Sequence, residues 1–355
     1  MAVTIRQFKA AAVQSEPAWF DLQQTVEKTI SLIIEAGEKD CKLIVFGETW
    51  IPGYPWWQWC VSHQDSLPLL KKYHQNSLKS DSKEMRSIRA AAKRSQIYVS
   101  LGYSEIEGSS LYMAQVLIDP SGRVINHRRK IKPTHAERLV FGEGTGDSLD
   151  NVTDTQIGLV GQLNCWEHMN PFLKAHAVAL HEQIHVAAWP VLQPEAARKY
   201  PDPYTATSEY ASELATPAYA SETGTWTVAA SQLLSREGAR SNLPEHLRDD
   251  ATLDGLSAWF DNGFARIYRP DGSKAVQDPD KKLDGLLIAE IDLDEIIIPK
   301  ILADYGGHYN RPDLLRLMVD KTPKIYVVDA NSPDPDQFTT TLVRLGLDKP
   351  LADEE

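Results

Sequence analysis

A thiol, a carboxylate and an ammonium, each closing an apolar run of strand length, are the residues of this 355-residue chain that can do covalent chemistry. Cys165 ends the run Ile157–Leu163 within Gly161-Gln-Leu-Asn-Cys165-Trp-Glu-His-Met-Asn-Pro171. Asn170 and Pro171 then read as the N-cap and first residue of a helix. A thiol on such a turn, beside helix-start amides, sits where a thiolate is stabilised and can act as a nucleophile. A lone cysteine is more often a small buried hydrophobe, so the assignment depends on its companions.

Two other islands supply them. Glu48 follows the compact run Leu43–Phe46 and precedes Thr49-Trp-Ile-Pro-Gly-Tyr54-Pro-Trp-Trp57. An aromatic, proline-rich loop of this kind walls a small apolar pocket, and desolvation there raises a carboxyl's pKa toward the range of proton transfer. Lys130 lies in His127-Arg-Arg-Lys130-Ile-Lys-Pro-Thr-His135-Ala-Glu137-Arg138, where a cation at a strand end stabilises a developing anion. Taken singly, a surface glutamate and a solvated charge run are the better accounts. Taken with Cys165, they form a set: a base for the thiol and a cation for the charge that develops. A second carboxylate would position water or the lysine.

A rival pattern is His181-Glu182-Gln-Ile-His185, a literal match to zinc proteases. It requires one continuous helix that presents both histidines as ligands. Val186-Ala-Ala-Trp-Pro190 continues it as a strand, so no metal is expected. A non-catalytic filament or binding protein is the other alternative, and the complete trio argues against it.

The elements that must position these residues alternate along the chain. Phe8–Val13, Leu43–Phe46, Ile97–Tyr103, His185–Ala188 and Thr225–Ala230 read as strands. Asp21–Ala36, Ser80–Ser95, Phe172–His181 and Ser208–Glu222 read as helices. Tyr112–Ile118 and Val124–His127 flank Asp119-Pro-Ser-Gly122, a hairpin signal. Phe264–Tyr268 and Leu286–Ile291 are expected to form a second hairpin-like pair. Gln193–Thr207 and the chain from Lys321 onward lack clear periodicity. The pattern predicts one α/β layered domain over residues 1–320, followed by a tail at 321–355 read as a partner-binding arm.

The formal net charge of −12 argues against nucleic acid and anionic membranes as partners. Three cysteines make no disulfide framework, and the N-terminus lacks a signal-peptide core, so a cytoplasmic protein is expected.

With these islands in view, the chain resembles the nitrilase superfamily of carbon–nitrogen hydrolases, whose site is a Glu-Lys-Cys triad. Matching segments are Phe46-Gly-Glu-Thr-Trp-Ile-Pro-Gly-Tyr-Pro55, the Lys130 island and Asn164-Cys-Trp-Glu-His168. Gln183-Ile-His-Val-Ala-Ala-Trp-Pro190 and Gly306-Gly-His-Tyr-Asn-Arg-Pro-Asp313 extend the likeness, which runs from Phe8 to Val319. The likeness is to the nitrile-cleaving branch, and within it to fungal cyanide hydratases and related nitrilases, through Ser66–Tyr73 and Met169–Lys174. Gly47 stands where the family usually has proline, which predicts a looser backbone at the site. His168 stands where fungal cyanide hydratases usually have asparagine, as acid-forming nitrilases often do.

The resemblance implies a four-layer αββα sandwich without a cofactor, self-associating as dimers that stack into spirals or filaments. Cys165 would be nucleophile, Glu48 general base and Lys130 the charge stabiliser, with Glu137 orienting the lysine or water. Tyr54, Trp166 and Trp189 would line the substrate, Trp166 also through its N–H. The implied reaction is hydrolysis of a nitrile to carboxylic acid and ammonia through a thioimidate and thioester. The alternative is conversion of hydrogen cyanide to formamide at the same site.

Overall fold

In the computed structural model, residues 4–194, 209–324, 340–347, 349 and 351 are described. Strands run as β1 (Gln7–Ser15), β2 (Cys41–Val45), β3 (Tyr98–Glu107), β4 (Ser110–Ile118), β5 (Val124–Arg129), β6 (Val152–Thr155), β7 (Gly158–Asn164), β8 (Ile184–Val191), β9 (Trp226–Gln232), β10 (Arg266–Tyr268) and β11 (Gly285–Asp292). The principal helices are α1 (Leu22–Glu38), α2 (His63–Asn76), α3 (Lys83–Ser95), α4 (Pro171–Ala179) and α5 (Glu209–Thr223).

One half of the sheet is ordered β5-β4-β3-β2-β1, with β11 on the far side of β1; the other is β9-β8-β7-β6, with β10 on β9. Among the described strands, ladder pairing crosses between them at the end of β1, where Gln14 and Ser15 pair with Ser231 and Gln232. The two halves face each other across one apolar core. Ala10, Leu43, Val45 and Leu117 of the first half meet Val160, Ile184, Val186 and Val228 of the second there.

Outer helices cover both halves. Asp21 caps α1 by accepting from the Gln24 N–H, and Val26, Leu32, Ile33 and Ala36 fall on its buried face at helix spacing. Ser82 caps α3 in the same way, and Met85, Ile88 and Ala92 pack with that face over β2 and β3. On the opposite side Leu173 and Ala177 of α4 and Tyr219 of α5 cover Leu163 of β7. Helix, sheet, sheet, helix is the four-layer αββα order expected from the sequence.

Strand direction places the site. β1, β2 and β3 are mutually parallel, as are β7, β8, β9 and β1. β4 is antiparallel to both β3 and β5, so β5 runs with β3. Glu48, Lys130 and Cys165 therefore all leave the C-terminal ends of strands running the same way, the edge where α/β sheets carry their sites.

One reading of the sequence changes. Phe264–Tyr268 and Leu286–Ile291 do not pair with each other. β10 pairs with β9, while β11 pairs with β1 over Gln7↔Asp292 to Gln14↔Gly285. The Pro270–Ser273 turn returns only as far as Lys274, which bridges Tyr268. The tail also returns to the body. A short helix at Thr341–Arg344 lies against β5, Leu347 is buried in the α1–α3 core, and Arg89 donates to the Lys349 carbonyl at 2.6 Å. Residues 195–207 of the Gln193–Thr207 stretch, and 325–339 of the tail, lie outside the described residues.

Candidate active site

The three islands converge. Lys130 Nζ donates to Glu48 Oε1 and to Glu137 Oε2, each at 2.8 Å. One carboxylate oxygen from each glutamate and the Cys165 Sγ lie within 4.8 Å of one another. Such a trio of donors is of the kind that holds a cation, and here the Lys130 ammonium is already bonded to both carboxylates. All four side chains are buried.

The two glutamates are held differently. Glu137 accepts from Lys130, from the Thr134 N–H at 2.6 Å and from the Tyr54 hydroxyl at 2.8 Å, which itself accepts from Trp59 Nε1 at 3.1 Å. Among the described residues the Glu48 carboxylate accepts only from Lys130, and its Oε2 is buried without a partner. Burial raises the Glu48 pKa to about 8, against the pull of Lys130. Burial alone would lower Lys130, but Glu137 and Glu48 hold it above its usual value. Glu48 is thus the carboxyl poised to exchange a proton near neutral pH. Burial, reinforced by Glu48, holds the Cys165 thiol well above its ordinary pKa, so it stays protonated until a base takes its proton. Lys130 and the backbone N–H of Trp166 pull the other way.

Backbone conformation and close packing fix these positions. Cys165 opens a 3-10 turn (Cys165–Met169) in the left-handed region, with φ 44°. Glu167 ties two islands together: its carboxylate accepts from the Asn164 N–H (2.9 Å), the Ile131 N–H (2.9 Å) and Arg128 (2.7 Å). The Lys130 strand end and the Cys165 turn therefore share one buried anion.

Glu48 is tied to the second half of the sheet, its N–H donating to the Trp189 carbonyl at 3.2 Å and its carbonyl accepting from Gln232 Nε2 at 2.5 Å. Gly47 does not loosen this segment as its sequence position suggested. A Cβ there would lie 2.7 Å from the Trp189 carbonyl oxygen, so glycine permits the close approach of the two sheet halves.

Behind the thiol lies a polar chain. His168 Nδ1 is 2.5 Å from the Cys165 carbonyl, and His168 Nε2 is 2.8 Å from His185 Nε2. His185 Nδ1 is 2.7 Å from Glu182 Oε1, and the Tyr219 hydroxyl donates to Glu182 Oε2 at 2.7 Å. All four residues are buried. The zinc-like pattern is accounted for in this way: His181 lies beyond the end of α4, His185 is in β8, and the helix the pattern requires is not formed.

Residues 9–297 match the sequence family described as carbon-nitrogen hydrolase. The chain belongs to the nitrilase superfamily. It is an enzyme of carbon–nitrogen bond hydrolysis. Among curated proteins it is 55% identical over 347 residues to a cyanide hydratase of Leptosphaeria maculans, covering 98% of this chain and 96% of the relative. It is 54% identical over 354 residues to a cyanide hydratase of Penicillium rubens, covering 99% and 97%. Among solved structures it resembles the C. elegans NitFhit protein, with a TM-score of 0.65 at 19% identity over 92% of this chain and 70% of that one. An amidase from Nesterenkonia sp. gives a TM-score of 0.58 at 18% identity, covering 84% of this chain and 95% of that one. These structural likenesses establish the nitrilase fold.

Within that fold, every residue singled out from sequence is near the thiol or the triad. Trp189 packs in the same cluster as Cys165, stacks on His168 with ring centroids 5.1 Å apart, and donates from Nε1 to Thr216. Trp166 packs partly buried against that cluster. Tyr54 reaches the triad through Glu137. Sequence reasoning missed Gln232, Arg128 and the roles of Glu167, His185 and Glu182. The signal available for Glu182 was the nearby Gly161, whose Cβ would lie 1.7 Å from Glu182 Oε1.

Proposed function

We propose that the chain hydrates hydrogen cyanide to formamide, with Cys165 as nucleophile, Glu48 as general base, Lys130 as charge stabiliser and Glu137 as the group that orients Lys130. The observation that carries this reading is the buried ammonium shared by two carboxylates, with the Cys165 sulfur and one oxygen of each within 4.8 Å. The names of relatives at 54–55% identity favour cyanide and the amide product over the acid-forming reaction expected first from the sequence. A fully enclosed thiol also suits a very small substrate.

Glu48 takes the thiol proton, and sulfur bonds to the cyanide carbon as one carbon–nitrogen π bond opens. The nitrogen receives the proton, giving a thioimidate. Lys130 and the Trp166 N–H hold the charge that develops. Water gives a proton to Glu48 and adds to carbon; the nitrogen takes the proton, leaving carbon bonded to sulfur, hydroxyl and amino groups. Cleavage of the carbon–sulfur bond returns the thiol and releases formamide. Cleavage of the carbon–nitrogen bond would instead release ammonia and leave a thioester, which hydrolyses to acid. Tyr54, Trp166 and Trp189 wall the pocket.

Product analysis with cyanide and a panel of organic nitriles tests this. Formamide from cyanide with little turnover of other nitriles is expected. Ammonia and acid as main products would return the reading to an acid-forming nitrilase, and unchanged turnover in Cys165→Ala would remove the triad mechanism.

We further propose that the catalytic domain spans residues 1–320 and that the protein self-associates, as dimers stacking into spirals or filaments. Ile298, Leu302, Leu314, Leu315 and Met318 expose a large apolar surface in support. A truncation that leaves assembly size unchanged would separate the tail from this role. Three free cysteines agree with a cytoplasmic setting, and among the described residues no helix is long and apolar enough to cross a membrane.

A further inference from the structure

We infer that His168, His185 and Glu182 form a positioning relay that holds one shared proton and aims the Cys165–Trp166 peptide at the reacting thiol. The inference rests on Cys165 being the nucleophile.

Counting protons along the chain gives the argument. The Cys165 carbonyl can only accept, so His168 Nδ1, at 2.5 Å, must carry a proton. Burial and the neighbouring His185 keep His168 neutral, so its Nε2 has none and accepts from His185 Nε2 at 2.8 Å. His185 Nδ1 and Glu182 Oε1 still face each other at 2.7 Å, and Glu182 Oε2 is satisfied by the Tyr219 hydroxyl. Two neutral imidazoles and a carboxylate supply two protons for three contacts. The third proton therefore resides on the His185–Glu182 pair.

The consequence reaches the thiol through one peptide group. The Cys165 carbonyl and the Trp166 N–H belong to the same peptide plane, and that N–H pulls the Cys165 thiol's pKa downward. Donation by His168 to the oxygen fixes the plane and polarises the N–H on its other side. It also holds Cys165 in its left-handed conformation (φ 44°), which a non-glycine residue adopts only when its surroundings enforce it.

The relay is packed on all sides. Trp189 stacks on His168, and Tyr219 stacks on His185 with centroids 3.7 Å apart. The charged groups that face it are Arg128 and Lys174, which both act on His168, and Lys300, whose Nζ donates to the Glu182 carbonyl at 3.1 Å.

The test uses Glu182→Ala, Glu182→Gln and the unmodified enzyme. Glu182→Ala should lower kcat about 10²-fold, the scale for losing one anion-site donor, with KM changed far less. Glu182→Gln presents a neutral amide N–H to His185 Nδ1, which satisfies all three contacts. It should recover most of the lost kcat. Histidine ¹⁵N spectra of the unmodified and Cys165→Ala proteins should show His168 protonated at Nδ1 only. Glu182→Gln as inactive as Glu182→Ala, or His168 protonated at Nε2, would each overturn the relay. The spectra do not depend on turnover, so failure of the relay is distinguishable from failure of the nucleophile assignment.

Discussion

Replacing Lys130 with methionine should change the pH dependence of stability as well as remove activity. The substitution keeps the buried stem and deletes the charge between Glu48 and Glu137. Removing one partner from a buried ion pair costs about 3–5 kcal/mol. The nearest glutamate oxygens are within 4.8 Å, which at an effective dielectric of about 20 gives at least ~3.5 kcal/mol of repulsion when both are ionised. A proton on Glu48 relieves that term. In the native protein Glu48 has its folded pKa raised to about 8, so its contribution is fully present below its unfolded pKa and lost as pH climbs to about 8, then levels off. Lys130 lowers this pKa, so without it the loss continues past 8 at about 1.4 kcal/mol per pH unit. Denaturant unfolding followed by tryptophan fluorescence should show a deficit of roughly 3–5 kcal/mol near pH 6.5, growing by about 2 kcal/mol near pH 9.5. A deficit that stays flat or shrinks as pH rises would refute the shared-ammonium account.

Four further outcomes follow from the geometry. In the native enzyme, kcat/KM should rise as pH passes through about 8, where Glu48 becomes the free base, and Glu48→Gln should abolish turnover across the range. Tyr54→Phe removes one of the three donors to Glu137 and should lower kcat about tenfold in a steady-state assay, while circular dichroism stays unchanged. Gly161→Ala drives a methyl into Glu182 and should cost about 1–3 kcal/mol by denaturant unfolding, with loss of activity. Leu347→Ala empties a buried site in the α1–α3 core and should cost about 2–4 kcal/mol while kcat is retained, which separates the docked tail from the chemistry.

The cluster of Glu48, Lys130 and Cys165 was legible in the sequence because each closes a strand-length apolar run and is followed by an unusual loop, so local pattern carried the signal. One helix start was legible through its cap at Asn170, and the helix after Asp21 through its apolar spacing. Strand partners were not. The apolar run Leu286–Ile291 marks a strand, but nothing local tells it to pair with residues near the N-terminus rather than with Phe264–Tyr268. The relay was invisible for the same reason. His168 and His185 meet because β7 and β8 are adjacent and parallel, a relation set by the whole sheet. The Glu182–His185 spacing caught the eye for a zinc helix and proved to be a carboxylate–imidazole contact across a turn into β8.

The bend of β1 from one half of the sheet to the other has a consequence for biosynthesis. Glu48, Lys130 and Cys165 all lie in the first 165 residues, yet Gln232, which holds the Glu48 carbonyl, belongs to the strand that β1 joins at its end. β1 also needs β11, whose Asp292 pairs with Gln7. A nascent chain that already contains the whole triad therefore cannot complete its first sheet until nearly 300 residues have been made. Closing contacts so far apart in sequence is slow and leaves apolar strand edges open meanwhile. The interval before closure is when this protein is most exposed to aggregation and chaperone capture.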